Sequence, residues 1–235
     1  MRAMILAAGR GERMRPLTDH TPKPLLKVNG KPLIVWHIER LARAGITELI
    51  INHAWLGEQI EQALDDGRQL GARIVYSPEP LPLETAGGIA QALPFFDDAP
   101  FLVVNGDVWC DWDPARAIDI AADLKRQARQ AWLLMVDNPA HHPAGDFQLC
   151  ANGLLMHPGT NTEGTALTFA GIGIYLPTLF KDLPPGQPAA LAPLLRQAML
   201  RQQVIGSHHP GAWVDVGTPE RLAELDQRLS RGSIQ

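Results

Sequence analysis

Five short apolar runs constrain this chain more than any other feature. They are AMILAA (3–8), ELIIN (48–52), RIVYS (73–77), FLVV (101–104) and AWLLMV (131–136). Several have little polar alternation, as expected of strands covered on both faces. Helical periodicity fills the gaps. In PLIVWHIERLARAG the residues Ile34, Ile38 and Leu41 fall at i, i+4 and i+7, with Pro32 suited to a first turn and Gly45 to a C-cap. LGEQIEQALDDG, TAGGIAQALPFF (opened by Thr85 as cap) and PARAIDIAADLKRQAR read as further helices. Strand–helix repetition with short connections gives right-handed βαβ units and a largely parallel sheet, an α/β fold.

The chain changes character after residue 136. DFQLCANGLLMHPG reads as a hairpin about Asn152-Gly153, TFAGIGIYLP as a strand, and residues 183–193 as a proline-rich loop before the helix LAPLLRQAMLRQQ. WVDVG is a short strand and TPERLAELDQRLS a capped last helix. The expectation is one domain over 1–235, in two halves of about 1–110 and 111–235. Net charge is −4, from 21 Lys+Arg and 25 Asp+Glu, which argues against general nucleic-acid binding. Two cysteines, Cys110 and Cys150, make no disulfide framework. No run approaches the roughly 20 apolar residues of a membrane span, and the first apolar run is too short for a signal peptide. A cytoplasmic monomer without a membrane or nucleic-acid partner is expected.

Ligands of open α/β sheets sit beyond the carboxyl ends of the strands, so the loops after these runs matter most. The first holds Gly9-Arg10-Gly11, whose backbone N–H groups can turn toward phosphate oxygens. Met14 stands where a dinucleotide fingerprint needs its third glycine, and no P-loop pattern is present. Four cations follow: Arg10, Arg13, Arg15 and Lys23. Either they form a solvated face or they await phosphate; their place beside Gly-x-Gly after strand one favours phosphate. Pro22 and Pro24 stiffen the backbone on either side of Lys23, a compact point charge.

LAAGRGERMRPLTDHTPKPLLKVNGKPLI resembles the signature of the sugar-phosphate nucleotidylyltransferases, and further matches extend to about Leu225. The resemblance implies a doubly wound, mostly parallel, Rossmann-like mixed sheet flanked by helices, of the nucleotide-diphospho-sugar transferase type. It also implies a nucleotide-binding first half and a sugar-binding second half. Nucleotide-binding positions carried over are Ala7, Ala8, Gly9, Gly11, Glu12, Arg13 and Lys23, with Glu79, Thr85 and Gly88 near base or ribose. Arg15 and Lys23 are the catalytic cations. Glu84 replaces the glycine usual in the E-x-x-P-L-G-T-A loop, and either reads the base or lies outside the pocket.

Asp107, at the end of VVNGD, is a natural Mg²⁺ ligand or a turn-forming residue. Asp215 in WVDVGTPE matches the family's second metal ligand. Asn105, Gly145 and Gly171 fall where family members contact the sugar phosphate. Asp137 is a candidate for a sugar hydroxyl or a loop cap, and Glu163 a loose candidate for the glutamate of an E-K-P motif this sequence lacks. Another cation, or Mg²⁺, must replace that motif's lysine; His141 and His142 are candidates, or simply exposed.

The implied reaction transfers a nucleoside monophosphate to a sugar 1-phosphate with release of pyrophosphate. The attacking group is already an anionic oxygen, so positioning and charge stabilisation suffice. Within the family, LETAGGI, the altered sugar loop and the absence of a hexapeptide-repeat region look like the short uridylyltransferases. Those take UTP and N-acetylmuramic acid α-1-phosphate in peptidoglycan recycling. A lactyl carboxylate on such a sugar calls for a cation or N–H donor facing the 3-position. A mannose-1-phosphate guanylyltransferase is the second reading, and a non-catalytic sugar-nucleotide-binding subunit the third.

Overall fold

The computed structural model describes residues 1–159 and 164–232, so Glu163 lies outside the described residues. β1 (Arg2–Leu6) leads through the glycine loop to a small hairpin, β2 (Lys27–Val28) and β3 (Lys31–Pro32), and into α1 (Leu33–Arg43). Then come β4 (Glu48–His53), α2 (Gly57–Leu64), β5 (Arg73–Pro78), α3 (Glu84–Ala92) and β6 (Phe101–Asn105). The next elements are β7 (Val108–Cys110), α4 (Ala117–Arg126), β8 (Ala131–Val136), β9 (Phe147–Leu149), β10 (Leu155–Met156) and β11 (Thr165–Tyr175). The chain continues with α5 (Leu191–Leu200), β12 (Val204–His208), β13 (Trp213–Asp215) and α6 (Pro219–Ser230).

The main sheet runs β12-β8-β11-β6-β1-β4-β5, with β9 and β10 joined along the start of β11. β1 is parallel to β4 and β6, and β5 to β4, while β11 is antiparallel to both β6 and β8. This is the doubly wound, mostly parallel mixed sheet the sequence implies. The winding moves outward from β1 to β5 and then returns to β6 on the other side of β1. A crevice therefore opens at the carboxyl ends of β1 and β6. The register sets Asn52 and Asn105 on either side of Leu6 at that crevice.

Each face of the sheet is covered by helices. Ile34, Ile38 and Leu41 of α1, Ile60 and Leu64 of α2, and Leu124 of α4 pack on one side. Ile89 of α3, with Leu195 and Met199 of α5, packs on the other around Met4, Phe101 and Tyr175. A third cluster joins Met14, Leu33, Trp109, Val216, Leu225 and Leu229. Met14, fully buried there, anchors the glycine loop to α6. Helix α1 ends as expected: Gly45 takes φ +80°, and the N–H groups of Gly45 and Ile46 close on the carbonyls of Ala42 and Leu41.

Three departures from the sequence expectation have local causes. α3 begins at Glu84, and Thr85 makes no capping bond. The N–H groups of Ala86 and Gly87 instead donate to the Ala189 carbonyl, at 2.9 and 3.1 Å. The proline-rich loop thus satisfies donors that a cap would otherwise serve. β12 is a strand although VIGSH carries little apolar signal, because it pairs along its whole length with β8. β7 forms by antiparallel pairing with β13, a partner about a hundred residues away.

Candidate active site

Gly106 continues the β1–β6 pairing beyond Asn105, its N–H donating to the Leu6 carbonyl at 2.8 Å. A Cβ there would stand 2.7 Å from that same oxygen, so only glycine lets the backbone approach. Asp107 then turns out into the crevice. Its Oδ2 accepts from Lys23 Nζ at 2.7 Å, and its carbonyl accepts from the N–H of Val216 at 2.9 Å. The second bond extends the β7–β13 ribbon, which pairs Val108 with Asp215. Two carboxylates about a hundred residues apart in sequence are thereby brought to adjacent positions on the paired ribbon.

Asp215 is held from α6. Arg221 Nη1 donates to Asp215 Oδ2 at 2.6 Å and to His141 Nε2 at 2.9 Å. Gly217 makes room, since a Cβ there would lie 2.6 Å from Arg221 Nη2. Asp107, Asp215, Arg13 and His141 line one cleft of about 430 Å³ with Asn105 and Gly171. Hard carboxylate oxygens converging on one cleft are the donor set a magnesium ion prefers. Gly171 takes φ +75°, and a Cβ on it would meet the Asn105 side chain at 2.8 Å. The break in β11 between Phe169 and Gly173 provides this space.

A second cleft, about 270 Å³, lies beneath the glycine loop. Ala7, Ala8, Gly9, Lys23, Glu79, Glu84, Thr85, Asn105 and Asp107 line it. One buried network shapes its floor. The Ala7 N–H donates to Asn52 Oδ1 (2.9 Å), Asn52 Nδ2 donates to Glu79 Oε1 (2.7 Å), and the Leu83 N–H donates to Glu79 Oε2 (3.0 Å). Asn52 and Glu79 are only 2% and 5% exposed, so these bonds hold β1, β4 and the loop after β5 in a region with little competing water. Gly88 is glycine because a Cβ would sit 2.6 Å from Glu79 Oε1.

A third cleft, about 710 Å³, shares Glu84, Thr85 and Asn105 with the second and continues to Gly145, Asp146, Phe147, Phe169 and α5. Gly145 takes φ +66° and is closely faced by Asn138 Oδ1 and the Leu167 carbonyl. Asp146 accepts the Phe169 N–H at 2.8 Å and pairs with His142 at 3.1 Å.

Residues 2–145 match the family model described as Nucleotidyl transferase. The chain is also 57% identical, over 95% of its length and 96% of the relative's, to the N-acetylmuramate alpha-1-phosphate uridylyltransferase of Neisseria meningitidis serogroup B. This chain belongs to the nucleotidyl transferase family. It is 33% identical to the protein of the same description from Caulobacter vibrioides, over 97% of this chain and 96% of that one. The crystal structure of HddC from Yersinia pseudotuberculosis complexed with GMP-PN superposes with a TM-score of 0.77. At 20% identity, covering 97% of this chain and 99% of that one, it supports the fold. The resemblance carried by the opening motif thus holds at the level of the family.

In this nucleotidyl transferase several expected residues take other places. Gly11, at φ +65°, packs under Thr18 and Lys23 and does not line the clefts, while Glu12 is exposed outside them. Arg15 is exposed and pairs with Asp19 at 3.3 Å, an i, i+4 contact its sequence spacing permits. Asp137 lies outside the clefts and pairs with His208 of β12 at 2.8 Å, because β12 runs beside β8. Glu79 keeps its expected place in the cleft under the glycine loop, where each carboxylate oxygen also accepts a bond from within the protein. Glu84 has φ +57°, the left-handed backbone that the family's usual glycine adopts without strain.

Sequence reasoning missed Asn52, Asp146 and Arg221. Asn52 ends an apolar strand and had no motif; Arg221 follows Asp215 by six residues, a spacing that points to no contact until Gly217 and the Thr218 cap turn the chain. Cys110, Asp111 and His209 also bring ligand atoms within 4.8 Å of one another. Burial pushes the Cys110 thiol up to about 11, and Asp111 is already bonded by His209 and the Ala212 N–H, so the group works as a clamp on the β12–β13 loop.

Proposed function

We propose that this chain transfers UMP from UTP to N-acetylmuramic acid α-1-phosphate, giving UDP-N-acetylmuramic acid and pyrophosphate. The observation that carries this reading is the 57% identity to the Neisseria uridylyltransferase across nearly the whole of both chains. Two clefts that meet at Asn105 and Thr85 support it, since two substrates must meet end to end. The reaction belongs to the recycling of peptidoglycan sugars in the cytoplasm.

The smaller cleft takes the triphosphate. Exposed Gly9 and the backbone of Ala7 and Ala8 lie against it, and Lys23 reaches its inner end. Lys23 is 7% exposed, so its charge acts across little water and neutralises the α-phosphate strongly. Arg13 approaches the leaving phosphates from the neighbouring cleft. Asn105, fixed over Gly171, orients the sugar phosphate for in-line attack by its own anionic oxygen. Asp107 and Asp215 would hold Mg²⁺, with Lys23 and Arg221 as the cations they now pair with. When bound, the ion supplies positive charge to the phosphates at the reacting centre.

The test is pyrophosphate release with UTP, GTP, CTP and dTTP, each crossed against the α-1-phosphates of N-acetylmuramic acid, N-acetylglucosamine and mannose, with and without Mg²⁺. UTP with the muramate, dependent on the ion, is expected. GTP with mannose 1-phosphate would replace the reading with a guanylyltransferase, and no release with any pair would leave a binding protein.

A further inference from the structure

The large cleft is lined on one side by Phe147, Leu191, Ala192 and Leu195, a mostly apolar wall. Beyond Glu84, Thr85 and Asn105, which it shares with the small cleft, its polar side chains are His142, Asp146, His157 and Arg196, and the first three are committed. Both oxygens of Asp146 are engaged, one by the Phe169 N–H and one by His142, and His157 makes a bond of 2.8 Å with the Pro158 carbonyl. Arg196, from the middle of α5, lines the same cleft, and among the described residues its guanidinium has no hydrogen-bond or ion-pair partner. Three other arginines of the second half of the chain differ. Arg201 bonds Gln203, Arg129 bonds the Gln202 carbonyl, and Arg221 bonds Asp215.

An uncommitted planar fork beside an apolar wall fits a carboxylate that carries a methyl group. The fork gives two parallel N–H donors to the carboxylate, and the wall takes the methyl. On the sugar of the proposed reaction that combination is the 3-O-lactyl ether. We propose that Arg196 is the specificity-determining residue of the sugar cleft and binds the lactyl carboxylate. This inference rests on the substrate proposed above. It also supplies what the amino-acid pattern called for without locating, a cation facing the sugar's 3-position. Arg196 lies on α5, whereas Lys23 lies in the connection after β1, and Asp107 and Asp215 at the ends of β6 and β13. Its charge therefore selects the sugar without entering the phosphate chemistry.

The experiment compares kcat and KM of the wild type, Arg196→Ala and Arg196→Lys with UTP and either N-acetylmuramic acid α-1-phosphate or N-acetylglucosamine α-1-phosphate. The second sugar lacks only the lactyl group. Loss of a charge-assisted bidentate contact should raise KM for the muramate about tenfold or more, with kcat falling far less. The preference for muramate over glucosamine, as a ratio of kcat/KM, should fall by the same factor, and lysine should restore part of it. An equal loss for both sugars would overturn the proposal, because it would assign Arg196 to the common phosphate or to the fold. An unaltered preference would overturn it too. Should the wild type turn over neither sugar, it is the functional reading that fails. Calorimetric binding of the two sugar phosphates to wild type and Arg196→Ala then still decides the role of Arg196 by the same comparison.

Discussion

The small cleft under the glycine loop and the large cleft against α5 share Glu84, Thr85 and Asn105, yet they are built differently. In the small one every polar side chain that is not shared is already bonded within the protein: Asn52 to Ala7 and Glu79, Glu79 to Leu83, Lys23 to Asp107. The floor is rigid before any ligand arrives, which suits a triphosphate common to many enzymes. The large cleft has an apolar wall, two histidines tied to close neighbours in sequence, and one arginine left free. On the proposed assignment, chemistry that must not vary is held by a buried network, and choice of sugar is left to a few side chains on one helix.

The comparison breaks most visibly at Lys23 and Asp107. Lys23→Ala and Asp107→Asn should each lower turnover by on the order of 10²-fold or more, with circular dichroism unchanged. Near-wild-type turnover in either would remove them from the reaction. Next is the network itself. Asn52→Leu strands the Glu79 carboxylate and the Ala7 N–H, and should cost about 2–3 kcal/mol in urea unfolding while raising KM for UTP more than KM for the sugar. Equal changes in both constants would show that the network does not belong to one cleft.

The same half of the molecule holds a buried acid-sensitive group. Burial pushes the His37 imidazole down to about 4, against a backbone bond near Val108 that acts in the opposite sense. Its folded value lies below its unfolded one of about 6.5, so protons bind the unfolded chain first. Its contribution is complete above pH 6.5 and is lost as the pH falls toward 4, amounting to about 2 kcal/mol by pH 5. Urea titrations at pH 7.5 and 5 should differ by that amount in the wild type and by less in His37→Gln. Identical differences would place the acid sensitivity elsewhere.

The smallest effect is expected at the boundary of the two clefts. Glu84→Gly removes a side chain from a left-handed backbone position and should stabilise the protein by up to about 1 kcal/mol. A destabilisation would mean that the Glu84 side chain contributes more than its backbone costs.

Much of this architecture was legible in the amino-acid sequence, and the reasons are local. Continuous apolar runs marked β1, β4, β6 and β8, and Gly45 marked the end of α1. The opening motif singled out Lys23 because its residues sit at fixed spacing, and the end of the VVNGD run singled out Asp107. What escaped depends on partners far along the chain. β12 has too little apolar pattern to be seen without β8, and the insertion of β11 between β6 and β8 leaves no trace in local periodicity. Thr85 has the chemistry of a cap, but Ala189, about a hundred residues on, serves the helix instead. Arg15 and Asp137 carry suitable charges, and only the three-dimensional packing shows that Asp19 and His208 claim them.

The bond from the Val216 N–H to the Asp107 carbonyl has a consequence for biosynthesis. Domains form from the amino terminus as the ribosome delivers them. A nascent chain can build β1, β4, β5 and β6 and close the small cleft while residues 213–216 are still unmade. It would have Lys23 and Asp107 but neither Asp215 nor the strand that fixes the Asp107 turn. With the proposed roles of Asp107 and Asp215, the enzyme stays silent until residues 213–216 have been made, and a premature stop anywhere before Trp213 should yield a protein that is partly folded and inactive.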